Sequence, residues 1–158
     1  MTKVLPRPRS IVAGIIAGIV GAVLISAALV YGYANLLHTP NFSLAGFMAF
    51  DAAVLLGKGA FANPAAPFIG LVLHVLVSVG WALGYAVTAE RQPQLLARPI
   101  TSGATFGFII YFAMQMVLVA ANAYHQPTPR EAGLAIVAHI VFFGVPVALV
   151  IARLMRAR

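Results

Sequence analysis

Cysteine is absent from this 158-residue chain, and acids are scarce: Asp51, Glu90 and Glu131 stand against ten lysines and arginines. The missing thiols exclude disulfides, thiolate zinc, iron–sulfur clusters, covalently attached c-type haem and thiol nucleophiles. Three scattered carboxylates argue against paired-carboxylate acid–base chemistry and acid-rich Mg²⁺ or Ca²⁺ sites. Charge of either sign is rare, 8% of residues, where a soluble domain carries about a quarter. What fills the chain instead is 62% hydrophobic residues, a membrane composition.

Four stretches are free of charge and long enough to cross a bilayer: Ile11 to Tyr33, Pro67 to Val87, Ile100 to Ala121 and Leu134 to Ala152. About 20 residues rising about 1.5 Å each cover the roughly 30 Å hydrocarbon core, where helices satisfy their own backbone. The expected fold is an all-α membrane protein, a single four-helix transmembrane domain over residues 1–158. The first span is too long for a signal-peptide core and reads as an uncleaved helix.

Orientation follows the basic residues. Lys3, Arg7 and Arg9 precede the first span, Arg91 and Arg98 lie between the second and third, and Arg153, Arg156 and Arg158 follow the fourth. Only Lys58 and Arg130 fall on the other side. By the positive-inside bias both termini face the cytoplasm, and in a bacterial inner membrane the first and third loops face the periplasm.

The first loop holds another apolar run, Phe42 to Ala62, broken by Asp51 and Lys58. A fifth crossing there would export the downstream arginines, so Ser43 to Leu56 is expected to be a short helix at the outer interface, capped by Asn41 or Ser43. Asp51 then reads as a carboxylate at headgroup level, with a buried functional acid as the alternative.

An internal repeat pairs the odd spans. Ile11 to Gly18 and Ile100 to Gly107 both read I-x-x-G-x-x-x-G, and Ala34 to Pro40 and Ala121 to Pro127 both read A-N-x-x-H-x-P. Asn35 and Asn122 mark these exits, and one histidine follows in each even span. The order suggests two tandem hairpins related by an axis along the membrane normal. Gly14 and Gly18, Gly80 and Gly84, and Gly103 and Gly107 sit one turn apart and read as helix-packing contacts, with a homodimer face as the alternative. Trp81 and Tyr85 fit an interfacial aromatic belt. Gln115 reads as an interhelical hydrogen bonder, and Pro146 as a kink.

The four histidines all fall in the outer half. His38 and His125 lie just beyond the odd spans, while His74 and His139 lie about 11 Å and about 8 Å inside the even ones. Inside a bilayer an imidazole needs a partner, here a carbonyl or hydroxyl of the next helix, a b-type haem iron or divalent metal, or an exchangeable proton. The expected arrangement is one constellation, His74 and His139 within the bundle, His38 and His125 above them, and Asn35 and Asn122 nearby. No carboxylate is evidently placed to support these rings.

His74-x-x-x-Ser78, Gly84-Tyr85 and Ala89-Glu90-Arg91-Gln92-Pro93, with His139 to Phe142 and the basic tail, resemble YagU-like bacterial inner-membrane proteins. The likeness lies mainly in residues 70–158. It implies a multi-pass inner-membrane protein and assigns no catalytic residues, although His74, Gly84, Tyr85, Glu90 and His139 are the matching positions.

The leading expectation is a non-enzymatic accessory or stress-related membrane component with a periplasm-side histidine cluster. The alternatives are a protein binding haem b or a transition metal, and a small transporter. No nucleophile and base pair identifies catalysis. Partners are the lipid bilayer and either a second copy or another membrane protein. Nucleic acid is not expected, because topology accounts for the positive charge.

Overall fold

The computed structural model describes residues 8–123 and 125–156, within which every regular element is helical. Lys3, Arg7, Tyr124 and Arg158 lie outside the described residues. The chain runs through α1 (Pro8–Tyr31), continued by a π-helical turn (Gly32–Leu36), and α2 (Leu44–Leu56), continued by a 3-10 helix (Gly57–Ala62). Then come α3 (Ala66–Arg91), the short α4 (Pro93–Ala97), α5 (Pro99–Ala120), α6 (Pro129–Ala138), a π-helical stretch (His139–Gly144) and α7 (Val145–Arg156).

Among the described residues five helical segments are long and apolar enough to cross a membrane: Pro8–Leu36, Leu44–Ala62, Ala66–Arg91, Pro99–Ala120 and Pro129–Arg156. That is one more than the sequence reading of four. The difference arises because 3-10 turns carry the second segment past Leu56 and through Lys58. Ser43, not Asn41, caps α2, its hydroxyl accepting from the Gly46 N–H at 3.2 Å.

Small residues set the packing. A Cβ on Gly14 would come within 2.7 Å of Leu83 Cδ2, and one on Gly18 within 2.5 Å of Val79 Cα, so α1 lies almost backbone to backbone against antiparallel α3. In the second half of the chain, a Cβ on Gly144 would run into the backbone of both Gly103 and Gly107. Gly80 and Gly84 make no such contact: they are exposed, with nothing near an added Cβ. Each follows by one position a residue that faces α1, Val79 or Leu83, and a step of one residue turns the side chain about 100° around the helix. The expected packing role therefore fails for this pair.

The buried core is dominated by alanine, with Val147 and Ile151 at its centre, whereas Val23, Phe68 and Met116 are 64%, 70% and 68% exposed. Large apolar side chains outside and small ones inside are what a lipid-facing bundle needs. Pro146 shapes the last helical run. It has no N–H for the carbonyl four residues earlier, and the helix widens ahead of it into the π stretch, where the Val145 N–H reaches the Ile140 carbonyl.

Arg9 Nε donates to the Leu154 carbonyl at 2.9 Å, joining the start of α1 to the end of α7. Antiparallel packing places Arg91 and Arg98 at this same basic end. At the opposite, loop end, Phe42 stacks on Tyr33 with centroids 4.6 Å apart, and Ala60 packs with Ala66. Both ends of the Leu44–Ala62 segment are thus held where α1 finishes and α3 begins. Between them α2 crosses α3 closely, the Met48 carbonyl lying where a Cβ of Gly70 would be.

The two exit motifs fold differently. Asn122 ends α5 at φ 53°, with the Asn122 N–H on the Val119 carbonyl at 3.0 Å and the Ala123 N–H on the Leu118 carbonyl at 2.9 Å, a Schellman cap. After α1 the left-handed residue is His38, at φ 53°, while Asn35 sits inside the π turn and donates back to the Tyr31 carbonyl.

Candidate functional site

The backbones of α3 and α5 do not pack on one another. Between them, backed by α1 and the π stretch and topped by α2, lies a cavity of 510 Å³. Toward the basic end it is apolar, with Val77, Trp81, Ile110 and Phe143. Toward the loop end it gathers Tyr33, Asp51, His74, Gln115, His125 and His139.

Behind this apolar end stands Tyr85, which does not itself line the cavity. Its ring packs on Phe106 at 4.9 Å, and Phe106 stacks on Phe143 at 6.1 Å. Its hydroxyl lies 2.7 Å from Ser102 Oγ, which is also within reach of the Leu95 and Arg98 carbonyls, each at 2.9 Å. The Tyr85 hydroxyl also reaches the Leu95 carbonyl at 3.5 Å, so the side chain ties α3 to the α4–α5 corner whichever hydroxyl donates. This corrects the aromatic-belt expectation: Tyr85 is 6% exposed and Trp81 lines the cavity. The rotation that seats α3 on α1 turns both rings inward.

In the loop-end half, Asp51 Oδ2 lies 2.9 Å from His74 Nδ1. On the other side of the ring, Nε2 is 3.0 Å from Ser26 Oγ and 3.3 Å from the Ala22 carbonyl oxygen. Phe47 covers the ring edge-on at 5.5 Å. One imidazole thus joins α1, α2 and α3. The supporting carboxylate that the sequence did not evidently place is Asp51, brought in by α2. Its side chain is only 20% exposed.

The order Asp–His–Ser resembles a hydrolase triad, but the proton on Nε2 points the wrong way. A carbonyl can only accept, so the 3.3 Å contact with Ala22 calls for an N–H on Nε2, and a nitrogen that carries this proton cannot take one from Ser26. A nucleophilic serine needs a bare Nε2 to receive its proton. Ser26 also does not line the cavity. With both nitrogens engaged, His74 is not free to ligate iron or another metal.

His139 is the complementary case. Its Nδ1 is 2.8 Å from the Ala135 carbonyl, which fixes that nitrogen as the donor. Nε2 then carries the lone pair. His139 lines the cavity, and since among the described residues no buried side-chain nitrogen or oxygen lacks a partner, Nε2 is not sealed inside the packing. Tyr111 packs edge-on against its ring at 5.6 Å.

The cavity gathers His74, His139, His125, Asp51 and Gln115, but not His38, Asn35 or Asn122. Three of the four histidines thus line one cavity. His38 is exposed at its left-handed turn and the two asparagines serve helix ends. Gln115 faces the cavity and makes no side-chain hydrogen bond to the described residues, contrary to the interhelical role expected of it. Among the described residues no group of three His, Asp or Glu side chains is placed to hold a metal ion. Sequence reasoning missed Ser26, whose only signal was a lone hydroxyl in an apolar span. It also missed Tyr33 and Tyr111, which nothing in the pattern singles out.

No curated protein and no solved structure matches the chain. Residues 8–158 match the model of a family of unknown function, DUF6789, and the chain belongs to that family.

Proposed function

We propose that this chain is a non-enzymatic component of the bacterial inner membrane that crosses four times, has both termini in the cytoplasm, and presents a binding cleft in its periplasmic half. The cleft between α3 and α5 carries this reading: it is polar at the loop end and apolar within, toward Trp81 and Phe143. Parity supports four crossings. Arg9 meets Leu154 at one end, whereas an odd number of crossings would leave the first and last helices on opposite faces. The Leu44–Ala62 segment starts beside Tyr33 and finishes beside Ala66, so it dips into the outer half and returns. The basic end carries Arg9, Arg91, Arg98, Arg153 and Arg156, in keeping with a cytoplasmic face. The likeness to YagU-like proteins favours the same compartment.

The absence of cysteine gives a clean background for thiol labelling. In intact cells, Lys58→Cys, Arg130→Cys and the cleft variant Gln115→Cys should react with an impermeant reagent added outside, while Arg91→Cys stays protected. Labelling of Arg91→Cys would overturn the topology. A silent Gln115→Cys beside a reactive Arg130→Cys would overturn the cleft.

A further inference from the structure

We infer that the cleft holds a neutral amphiphile with a single apolar chain and a hydroxyl-bearing head, the chain against Val77, Trp81 and Ile110 and the head at His139 and Gln115. The inference rests on the cleft reading above and adds the chemical class of its occupant.

Size restricts the occupant first. The 510 Å³ volume lies within the range of small-molecule sites, about 300–1,000 Å³. A helix from another protein, about 10–12 Å across with its side chains, would exceed that volume within two turns. A slender chain fits where a helix does not.

Charge restricts it further. Asp51 is matched by His74 at 2.9 Å. The carboxylate of Glu131 accepts from the Thr128 N–H at 2.7 Å in the capping box of its own helix. Among the described residues no lysine or arginine lines the cavity, so a phosphate head would meet nothing more basic than imidazole there. An ammonium head would have to take Asp51 from His74. Burying a charge without a partner is costly, so the head that fits is uncharged.

Hydrogen bonding then assigns the head group. The open Nε2 of His139 is an acceptor, because Nδ1 donates to Ala135, and it calls for a donor from the ligand. Gln115 lies one turn beyond Tyr111 on α5, on the face that reaches His139, and can both donate and accept. A hydroxyl satisfies both. An ester or ketone without a hydroxyl would leave His139 unpaired.

Trp81 is the only tryptophan and lines the apolar part, so its fluorescence reports occupancy. The full chain in bromine-free detergent micelles should show saturable quenching by a brominated monoacylglycerol. An unbrominated monoacylglycerol should reverse it, and phosphatidylglycerol of the same chain length should not. A long-chain isoprenoid alcohol that competes equally would also support the proposal, tracing recognition to the hydroxyl rather than to the acyl ester. His139→Leu should weaken binding about tenfold, the loss of one hydrogen bond. Quenching that grows with lipid content without saturating, equal competition by phosphatidylglycerol, or unchanged affinity in His139→Leu would each overturn it. Should that variant fail to fold, competition on the unmodified chain decides alone. A thiol-accessible cleft without saturable quenching removes the ligand class and leaves the cleft reading intact.

Discussion

The Asp51 carboxylate and the His74 imidazole, 23 positions apart and on different helices, meet at 2.9 Å through Oδ2 and Nδ1. The contact fastens α2 to α3, and Nε2 of the same ring extends the link to α1. Removing one partner leaves the other buried and poorly matched. Asp51→Asn should therefore lower unfolding stability in micelles by about 3 kcal/mol. The double variant Asp51→Leu with His74→Leu should cost clearly less than the sum of the two single changes. Strict additivity in that cycle would show that the two groups do not interact.

The glycines divide by environment. Gly144→Ala forces a methyl group into the backbone of Gly103 and Gly107, which rigid helices can relieve only by moving apart. It should destabilise by about 2 kcal/mol or more. Gly80→Ala and Gly84→Ala meet nothing in the chain and should stabilise, by up to about 1 kcal/mol each through helix propensity. Thermal unfolding of the three variants separates the cases. A large loss at Gly80 or Gly84 would reveal a contact with a second copy.

Tyr85→Phe keeps the ring against Phe106 and deletes the hydroxyl that meets Ser102. The expected loss is about 1 kcal/mol, and the double variant with Ser102→Ala should cost less than the sum of the two single changes, since the bond between the hydroxyls is lost only once.

His38 holds a left-handed backbone at φ 53°, is exposed and lies outside the cavity. His38→Gly should therefore stabilise the chain by about 1 kcal/mol, since glycine adopts that conformation freely. Binding of the monoacylglycerol should be unaffected. Loss of binding in this variant would return His38 to the site.

Hydrophobic runs, the basic residues flanking them and the scarcity of acids are local properties, and they made the apolar helices and the basic end legible in the sequence. Pro146 and the Gly14-x-x-x-Gly18 and Gly103-x-x-x-Gly107 spacings were legible for the same reason, each acting within a turn or two of helix. The 3-10 continuation through Lys58 was not, because a charged residue flanked by glycines reads as a break unless the neighbouring packing is known. Nor were the two exits, where the same A-N-x-x-H-x-P pattern puts its left-handed residue at His38 in one copy and at Asn122 in the other.

For the site, sequence alone singled out His74 and His139 as imidazoles needing partners, since no helix leaves such a ring bare in hydrocarbon. Which partners they take was settled by the rotation of each helix about its axis, and contacts distant in sequence set that rotation. Seating Gly14 and Gly18 against Leu83 and Val79 points Gly80 and Gly84 outward, turns Trp81 to the cleft and brings the His74 ring to Ser26. The close crossing of α2 at Gly70 then delivers Asp51 to the far nitrogen. A step of one residue around any of these helices would change every pairing while leaving composition, hydropathy and charge bias untouched, and for that reason only the tertiary structure could decide them.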